Sequence, residues 1–165
     1  MLGPAGCALP PFGQNLHDVV PGVVLRSAQL SPEDLDEVIR TRRLASVLNL
    51  QGSSPGAEWY EKERAVTSRA HVAHFDFALS SEREVPPEQA EELIRVMQQA
   101  PKPMLIHCWG GADRTGLASA LYLYAVEGEP PEQAARALSV RYHHLSFTSA
   151  GAMDKSFWRY VHSRP

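Results

Sequence analysis

A chain of 165 residues with 44% hydrophobic content is long enough to bury one good core, and its length favours a single domain spanning residues 1–165. The net charge of −3 and the pI near 6.2 leave no global basic field of the kind that draws proteins onto nucleic acid or anionic lipid. We therefore expect no nucleic-acid or membrane partner, and any anionic ligand must be held by a local site.

Cysteine content and the N-terminal sequence indicate the compartment. The two cysteines, Cys7 and Cys108, are too few for a secreted disulfide framework. Residues 1–15 lack a basic cluster followed by a long apolar run, and no stretch reaches the roughly 18 apolar residues that a membrane span needs. These features predict a soluble, cytoplasmic protein.

The first half of the chain predicts strands that alternate with helices. Residues 1–20 are rich in Pro and Gly, which indicates an irregular lead-in. Ser31, Pro32 and Asp34 occupy the N-cap, first helical and capping-box positions of a helix. The other predicted elements are a short strand at 23–25, a strand at 45–50, a helix at about 57–69 and a strand at 71–79.

The second half continues the same alternation. Pro86 and Pro87 open a helix that runs through Met97, and residues 104–107 form a short apolar strand. Further helices are predicted at 117–126, at about 131–138 and at 152–162. This order of elements predicts an α/β fold with a mostly parallel sheet that is covered by helices on both faces.

Residues 107–116 read HCWGGADRTG and lie between a predicted strand and a predicted helix. A glycine-rich loop in that position presents backbone N–H groups and the positive end of a helix dipole to one point in space. That point is an anion site. Cys108 lies at the mouth of the loop, where these groups and a guanidinium favour the thiolate, which is the nucleophilic form of cysteine.

Other residues of the loop have the chemistry that a phosphate site needs. Arg114 follows Cys108 by six positions, so its planar fork can face the sulfur and grip two phosphate oxygens. Gly110 and Gly111 permit a tight curl, because a positive φ costs glycine little. Thr115 is positioned to donate its hydroxyl to the thiolate and ease its departure. A lone cysteine is most often a buried small hydrophobe, but these neighbours at fixed spacing argue for a nucleophile.

The loop resembles the signature of the protein tyrosine and dual-specificity phosphatase superfamily, which is His-Cys, five residues, Arg, then Ser or Thr. Residues 23–52 are similar to the N-terminal segment of the small atypical dual-specificity phosphatases of bacteria, fungi and plants, and the resemblance covers roughly residues 20–162. It implies a sheet of four or five strands between helices, Cys108 as nucleophile and Arg114 as phosphate clamp. It also implies an amide cradle formed by Trp109, Gly110, Gly111, Ala112, Asp113 and Arg114.

Ester cleavage also needs a proton for the leaving oxygen, which the superfamily usually takes from an Asp on a mobile loop. Asp76 has a typical separation of 32 positions from Cys108 but falls inside a predicted strand. Glu82 and Glu84 lie in the loop where the acid is expected, although they are Glu. Asp113 precedes Arg114 within the signature loop. The sequence leaves these candidates open, as well as the absence of a side-chain acid.

The remaining candidate residues are expected to be structural. His107 is predicted to brace the loop by hydrogen bonds, and a zinc site with Cys108 is not expected because no second ligand lies at suitable spacing. His143 and His144 are more readily explained as a solvated or packed pair than as the rim of the pocket. Cys7 is expected to have no role, rather than to form a disulfide with oxidised Cys108.

The predicted function is hydrolysis of phosphate monoesters through a phosphocysteine intermediate, with no metal or organic cofactor. No lysine lies between Cys108 and Arg114, which disfavours polyanionic inositides. A phosphorylated protein, a lipid phosphate and a small phosphorylated metabolite remain open, and Trp109 either stacks on the leaving group or packs under the helix. The alternatives are an inactive phosphate-binding module and a sulfurtransferase, whose loop usually lacks the Arg-Thr-Gly ending.

Overall fold

The computed structural model describes residues 13–164, and its centre is a five-stranded sheet. The strands are β1 (His17–Val20), β2 (Val24–Ser27), β3 (Ser46–Asn49), β4 (Ala73–Asp76) and β5 (Met104–His107). Their order is β1-β2-β5-β3-β4, and all neighbours are parallel except β1 and β2, which form an antiparallel pair. The predicted α/β class is confirmed, and β5 delivers the residue after it to the middle of one sheet edge.

Six α-helices cover the two faces of this sheet. They are α1 (Pro32–Arg42), α2 (Glu58–Arg69), α3 (Pro87–Gln99), α4 (Asp113–Ala125), α5 (Pro131–Ala134) and α6 (Ala152–Ser163). Apolar residues of α1 and α2 pack on one face, and those of α3, α4 and α6 pack on the other. No helix within residues 13–164 is long and apolar enough to cross a membrane.

The central strand is apolar on both faces because both are covered. Met104 and Ile106 point into the core beneath α3 and α4, whereas Leu105 points into the core beneath α1 and α2. Successive side chains of a strand alternate in this way, so a strand with no solvent face has a continuous apolar run. Cys108 follows β5 directly and lies at the edge of the larger core.

The start of α1 follows its sequence signal. The Ser31 hydroxyl accepts a hydrogen bond from the backbone N–H of Asp34 at 3.1 Å, and Pro32 is the first helical residue. This satisfies one of the N–H groups that the first turn of a helix leaves without a partner. The predicted N-cap is confirmed.

The prediction that residues 1–20 form an irregular lead-in is wrong for residues 17–20, which form β1. Pro21 and Gly22 make a tight turn, in which Gly22 has a φ of +72° and the N–H of Val23 donates to the carbonyl of Val20 at 2.9 Å. Two valines on each side of a Pro-Gly pair are a hairpin signal that the glycine and proline content concealed. Residues 1–12, including Cys7, lie outside the described part of the chain.

Two other elements are shorter than predicted. The strand expected at 71–79 is limited to β4, because His71 adopts a φ of +56° in the preceding turn and β3, its partner, ends at Asn49. The helix expected at 131–138 ends as α5 at Ala134, and residues 135–137 continue as a 3-10 turn. Neither change moves the strand that carries Cys108.

Candidate active site

The loop between β5 and α4 forms one wall of a pocket of about 330 Å³. We call residues 108–112 the Cys108 loop. Its members Cys108, Trp109, Gly110 and Ala112 line the pocket together with Asp113 and Arg114 of the first turn of α4. Ser81, His143, Leu145 and Thr148 are among the residues that line it from other segments. The structure thus brings the predicted nucleophile Cys108, the predicted clamp Arg114 and most of the predicted cradle to one cavity, whereas Thr115 is not among its lining residues.

Every carbonyl of the Cys108 loop accepts a hydrogen bond from a group outside it. The carbonyl of Trp109 accepts from the Gln29 backbone N–H at 3.1 Å, and that of Gly110 accepts from Asn15 Nδ2 at 3.1 Å. Arg26 Nη2 donates to the carbonyls of Gly111 and Ala112 at 2.9 and 3.3 Å. The Cys108 carbonyl lies 3.4 Å from His107 Nδ1.

These carbonyl bonds determine the direction of the loop amides. In a planar trans peptide the C=O and the following N–H point in opposite directions. Five consecutive carbonyls turned toward the protein therefore turn the N–H groups of residues 109–113 toward the pocket. The N-terminus of α4 adds its positive dipole end at the same place. These directions are the ones that the predicted oxyanion cradle requires.

Arg26 is the most deeply buried part of this arrangement, and the sequence analysis did not identify it. Its guanidinium, 1% exposed, also donates to the Ala137 carbonyl at 2.8 Å and lies 3.9 Å over the Tyr142 ring. Burial lowers its pKa to about 10, which leaves it charged at neutral pH. An arginine inside the apolar strand β2 was the available signal, since a buried cation is rare unless it has partners.

Gly111 is the residue that brings the loop against β2. It has a φ of +68°, and a Cβ on it would lie 2.5 Å from the Ala28 nitrogen and 2.6 Å from the Ser27 carbonyl oxygen. No other residue type fits there without moving backbone. Gly110 does not have a positive φ, and a Cβ on it would meet nothing within 4 Å. The prediction that a positive φ at Gly110 and Gly111 permits the curl therefore agrees with the conformation of Gly111 and is wrong for Gly110.

Three polar side chains in the Cys108 loop and the first turn of α4 have unused bonding capacity among the described residues. Cys108 is a free thiol and is 3% exposed. Arg114 Nη1 makes one long hydrogen bond of 3.5 Å to the Leu79 carbonyl, while its Nε is buried and has no partner among the described residues. The hydroxyl of Thr115 is likewise buried and unpaired within the described chain. Buried unpaired donors are uncommon, and a bound oxyanion is an acceptor that such donors lack.

An inner cluster of Glu63, His74 and His107 lies behind the start of the loop. The Glu63 carboxylate accepts hydrogen bonds from Nε2 of His74 at 2.7 Å and of His107 at 3.1 Å. Burial alone would raise the pKa of Glu63, but the two imidazoles hold it at about 2. Burial opposes the charge on His107 as well, yet Glu63 raises its pKa above the ordinary value. The contacts of His107 agree with its predicted bracing role.

An outer cluster of Asp113, His144 and Asp154 lies at the end of the loop. His144 Nδ1 is 2.7 Å from Asp113 Oδ1, and His144 Nε2 is 2.8 Å from Asp154 Oδ2. The imidazole is fully buried, and although burial lowers its pKa, the two carboxylates raise it to a net value above the ordinary one. His144 is therefore a packed residue, and His143 lines the pocket.

Asp76 lies apart from the pocket, although it was a candidate for the general acid. It is the last residue of β4, and its carboxylate accepts from Asn49 Nδ2 at 2.9 Å and from the Tyr60 hydroxyl at 2.5 Å. Both of its oxygens are thus engaged, and it is not among the residues that line the Cys108 cavity.

Glu82 and Glu84 lie closer but face elsewhere. Both line a neighbouring cavity of about 420 Å³, which shares Thr148 with the Cys108 cavity. Glu84 also forms an exposed ion pair with Arg159 at 3.4 Å. Ser81 is the residue of this loop that reaches the Cys108 pocket. Among the carboxylates proposed from sequence, Asp113 alone lines that pocket in the described chain.

The pocket thus combines a thiol, a guanidinium and a glycine-rich loop at the carboxyl end of a central parallel strand. The family model described as "Swiss Army Knife protein, DSP-PTPase phosphatase domain" matches residues 14–156. The chain therefore belongs to this family of dual-specificity-type phosphatase domains. This confirms the resemblance predicted from residues 107–116.

Several solved structures share the fold. The crystal structure of P. aeruginosa TpbA has 21% identity and a TM-score of 0.69, with 93% of this chain and 94% of that chain covered. A cysteine-to-serine variant of TpbA in complex with pTyr has 19% identity and a TM-score of 0.69, covering 98% and 99%. PTPMT1 has 14% identity and a TM-score of 0.65, covering 90% and 97%. A search of curated proteins finds no match.

Proposed function

We propose that the protein hydrolyses phosphate monoesters through a phosphocysteine intermediate on Cys108. The observation that carries this proposal is the combination of three features of the pocket. Cys108 is a free thiol, the loop N–H groups face the pocket, and the Arg114 guanidinium has N–H donors without a partner among the described residues. Such groups bind the three equatorial oxygens of a transferring phosphoryl group and stabilise the charge that they carry. The family assignment supports the same chemistry.

The reaction consists of two in-line displacements. In the first, the Cys108 thiolate forms an S–P bond as the P–O bond to the leaving group breaks, and an acid protonates the departing oxygen. In the second, the conjugate base takes a proton from water, the water oxygen bonds to phosphorus and the S–P bond breaks. Thiolate and acid are restored, with inorganic phosphate and an alcohol as products. Thr115 is proposed to stabilise the departing thiolate through its unpaired hydroxyl.

We propose Asp113 as the acid. It lines the cavity, its side chain is 30% exposed, and one of its oxygens is left for the substrate after the bond to His144. The oxygens of Asp76 are taken by Asn49 and Tyr60. Glu82 is the second choice, since its neighbour Ser81 reaches the pocket.

The pocket favours a substrate with one phosphate and an apolar leaving group. Arg114 is the only Lys or Arg side chain that lines it within the described residues. Trp109 and Leu145, 44% and 40% exposed, offer apolar surface at the same cavity. Phosphotyrosine, on a protein or as a small molecule, fits these features, and the pTyr complex of the TpbA variant supports its use as a probe. The cytoplasmic location stays a prediction.

The first experiment measures hydrolysis of p-nitrophenyl phosphate without added metal by the native chain, Cys108→Ser and Arg114→Lys. We expect turnover in the native chain, none in Cys108→Ser, and a loss of at least about 100-fold in Arg114→Lys, because an ammonium cannot grip two oxygens at once. Vanadate should inhibit the native chain. Vanadate binding without turnover would instead support an inactive phosphate-binding module.

A second set of variants identifies the acid. Asp113→Asn, Glu82→Gln and Asp76→Asn each remove one carboxylate while keeping its shape. We expect Asp113→Asn to lower kcat for a phenyl ester by about 100-fold or more, and the other two by less than about threefold. A larger loss in Glu82→Gln than in Asp113→Asn would transfer the role to Glu82.

A further inference from the structure

The outer cluster contains a histidine that has no direct access to the substrate. His144 is fully buried, and both of its ring nitrogens are occupied by carboxylate oxygens at 2.7 and 2.8 Å. It lies in the segment after the 3-10 turn at 140–142, Asp113 begins α4, and Asp154 lies in the first turn of α6. Any effect of His144 on the reaction must therefore pass through Asp113.

The two short hydrogen bonds of His144 require two protons, shared among its imidazole and the carboxylates of Asp113 and Asp154. A neutral imidazole has one N–H, so it can donate to only one of the carboxylates. With both carboxylates ionised, both bonds are formed only when the ring is an imidazolium. Asp154 also accepts from the Ser146 hydroxyl at 3.1 Å, which helps to hold this outer carboxylate in place. In the imidazolium state a positive charge lies beside Asp113. When Oδ2 of Asp113 carries the proton for the leaving group, Oδ1 can still accept from Nδ1, so both bonds also form in the acid form.

The contact also restricts the Asp113 carboxylate. Its Oδ1 is held by the imidazole, so the side chain cannot rotate freely, and its Oδ2 is left for the cavity that contains Cys108. When Asp113 has given its proton to the leaving oxygen, the resulting carboxylate lies against an imidazolium. A fixed, charge-compensated acid needs less reorganisation in the transition state than a free one.

We propose that His144, clamped by Asp154, is a positioning residue that fixes Asp113 for proton transfer and stabilises the carboxylate that the transfer creates. The proposal rests on the proposed phosphatase function with Asp113 as acid. The proton moves from Asp113 to the leaving oxygen in the first step and returns from water in the second. The imidazolium keeps both of its protons throughout.

The test compares two substrates that differ in their need for an acid. p-Nitrophenol leaves readily as an anion, whereas phenol, with a pKa of about 10 like that of tyrosine, needs protonation. In His144→Asn the amide can still donate to Asp113, but it has no charge and no second bond to Asp154. We expect kcat/KM, which reports the first displacement and not the later hydrolysis of the phosphocysteine, to fall about 10- to 100-fold with phenyl phosphate and less than about threefold with p-nitrophenyl phosphate.

Asp154→Asn provides a second variant that leaves the histidine in place. Its amide oxygen can still accept from Nε2, but the negative charge that favours the imidazolium is gone. We expect the same substrate-dependent loss at a smaller size, about 3- to 10-fold. This variant keeps the proposal testable if His144→Asn does not fold.

Controls separate a positioning role from a structural one. His71→Asn changes an exposed histidine in a remote turn and should leave both rates unchanged. In an Asp113→Asn background, His144→Asn should add no further substrate-dependent loss, because its effect passes through Asp113. The inhibition constant for vanadate should change less than about threefold, because the cradle is intact.

Equal losses of kcat/KM with both substrates in His144→Asn and Asp154→Asn would overturn the proposal, as would unchanged values with both. Neither result would affect the phosphatase function, which is judged by turnover in the native chain and its absence in Cys108→Ser. Failure of the native chain to hydrolyse either ester would overturn both proposals together.

Discussion

At the start of the Cys108 loop one carboxylate, Glu63, lies between two imidazoles, and at its end one imidazole, His144, lies between two carboxylates. The inner cluster is closed to solvent, since the side chain of Glu63 is 6% exposed, whereas those of Asp113 and Asp154 are 30% and 29% exposed. Carboxylates and imidazoles therefore lie in different surroundings in the two clusters. A sealed cluster holds a fixed charge, whereas Asp113 of the outer cluster is open to the pocket, as its proposed role as acid requires.

Removing the inner carboxylate should have the largest effect on stability. Glu63→Gln leaves the buried His107 imidazole without its carboxylate partner, and it leaves His74 with Asp76, 3.8 Å away, as its remaining carboxylate neighbour. We expect the free energy of unfolding to fall by about 4 kcal/mol. Urea denaturation at pH 6 measures it, with Glu58→Gln, an exposed change on the same helix, as the control. A loss below about 1 kcal/mol would mean that the inner cluster carries no fixed charge.

The pH dependence of stability should identify the same group. Because the folded pKa of Glu63 is about 2 and its ordinary value is 4.5, its contribution is present above pH 4.5 and is lost as the pH falls toward 2. The shift corresponds to about 3 kcal/mol. The raised pKa of His107 adds stability that is present below pH 6.5 and is lost as the pH rises through the folded value.

The ordinary pKa values of Glu63 and His107, 4.5 and 6.5, define the pH range of the measurement. The difference in stability between the native chain and Glu63→Gln should be largest between pH 4.5 and 6.5. This difference in the free energy of unfolding should become smaller below pH 4.5 and above pH 6.5, as measured by urea titrations at a series of pH values. A difference that stays constant down to pH 2 would contradict the assignment.

Changing the outer cluster should cost less stability. In Asp154→Asn the remaining groups keep hydrogen bonds or reach solvent, so we expect a loss of about 1 kcal/mol in the free energy of unfolding. The same urea assay compares it with Glu63→Gln. If Asp154→Asn lowered the free energy of unfolding as much as Glu63→Gln, the main role of the outer cluster would be to stabilise the fold.

Breaking an exposed ion pair should have the smallest effect on stability among these variants. Glu84→Gln breaks the contact with Arg159, in which the two side chains are 42% and 58% exposed. We expect a change below about 0.5 kcal/mol, because water and salt screen such pairs. A larger change would indicate that the loop at 80–86 depends on this pair for its position.

Sequence patterns predicted the parts of the site that are local. The Cys108 loop and the cap of α1 depend on neighbouring residues, so their spacing is visible in the chain. The residues that support the loop were missed because their partners are distant: Arg26 bonds Gly111 across 85 positions, and Asn15 bonds Gly110 across 95. Glu63 and His107 are 44 positions apart, and tertiary packing alone brings them together.

The same distance limited the choice of the acid. Asp76, Glu82 and Asp113 are all carboxylates at plausible separations from Cys108, and the sequence gives no direction for their side chains. The contacts of Asp76 with Asn49 and Tyr60 arise from β3 and α2, which are adjacent to β4 in space but not at neighbouring positions in the chain. Only a folded arrangement distinguishes an occupied carboxylate from an available one.

The hairpin of β1 and β2 and the residues next to it support the Cys108 loop, so the domain cannot be divided between this hairpin and the rest of the chain. Asn15 and Arg26 do not line the Cys108 pocket, yet they hold its loop, and Gly111 packs directly on the backbone of Ser27 and Ala28. A fragment that starts after Ala28 would retain every lining residue and still lose the shape that makes them a site. The hairpin and the signature loop therefore have to be inherited together when such domains are shuffled between proteins.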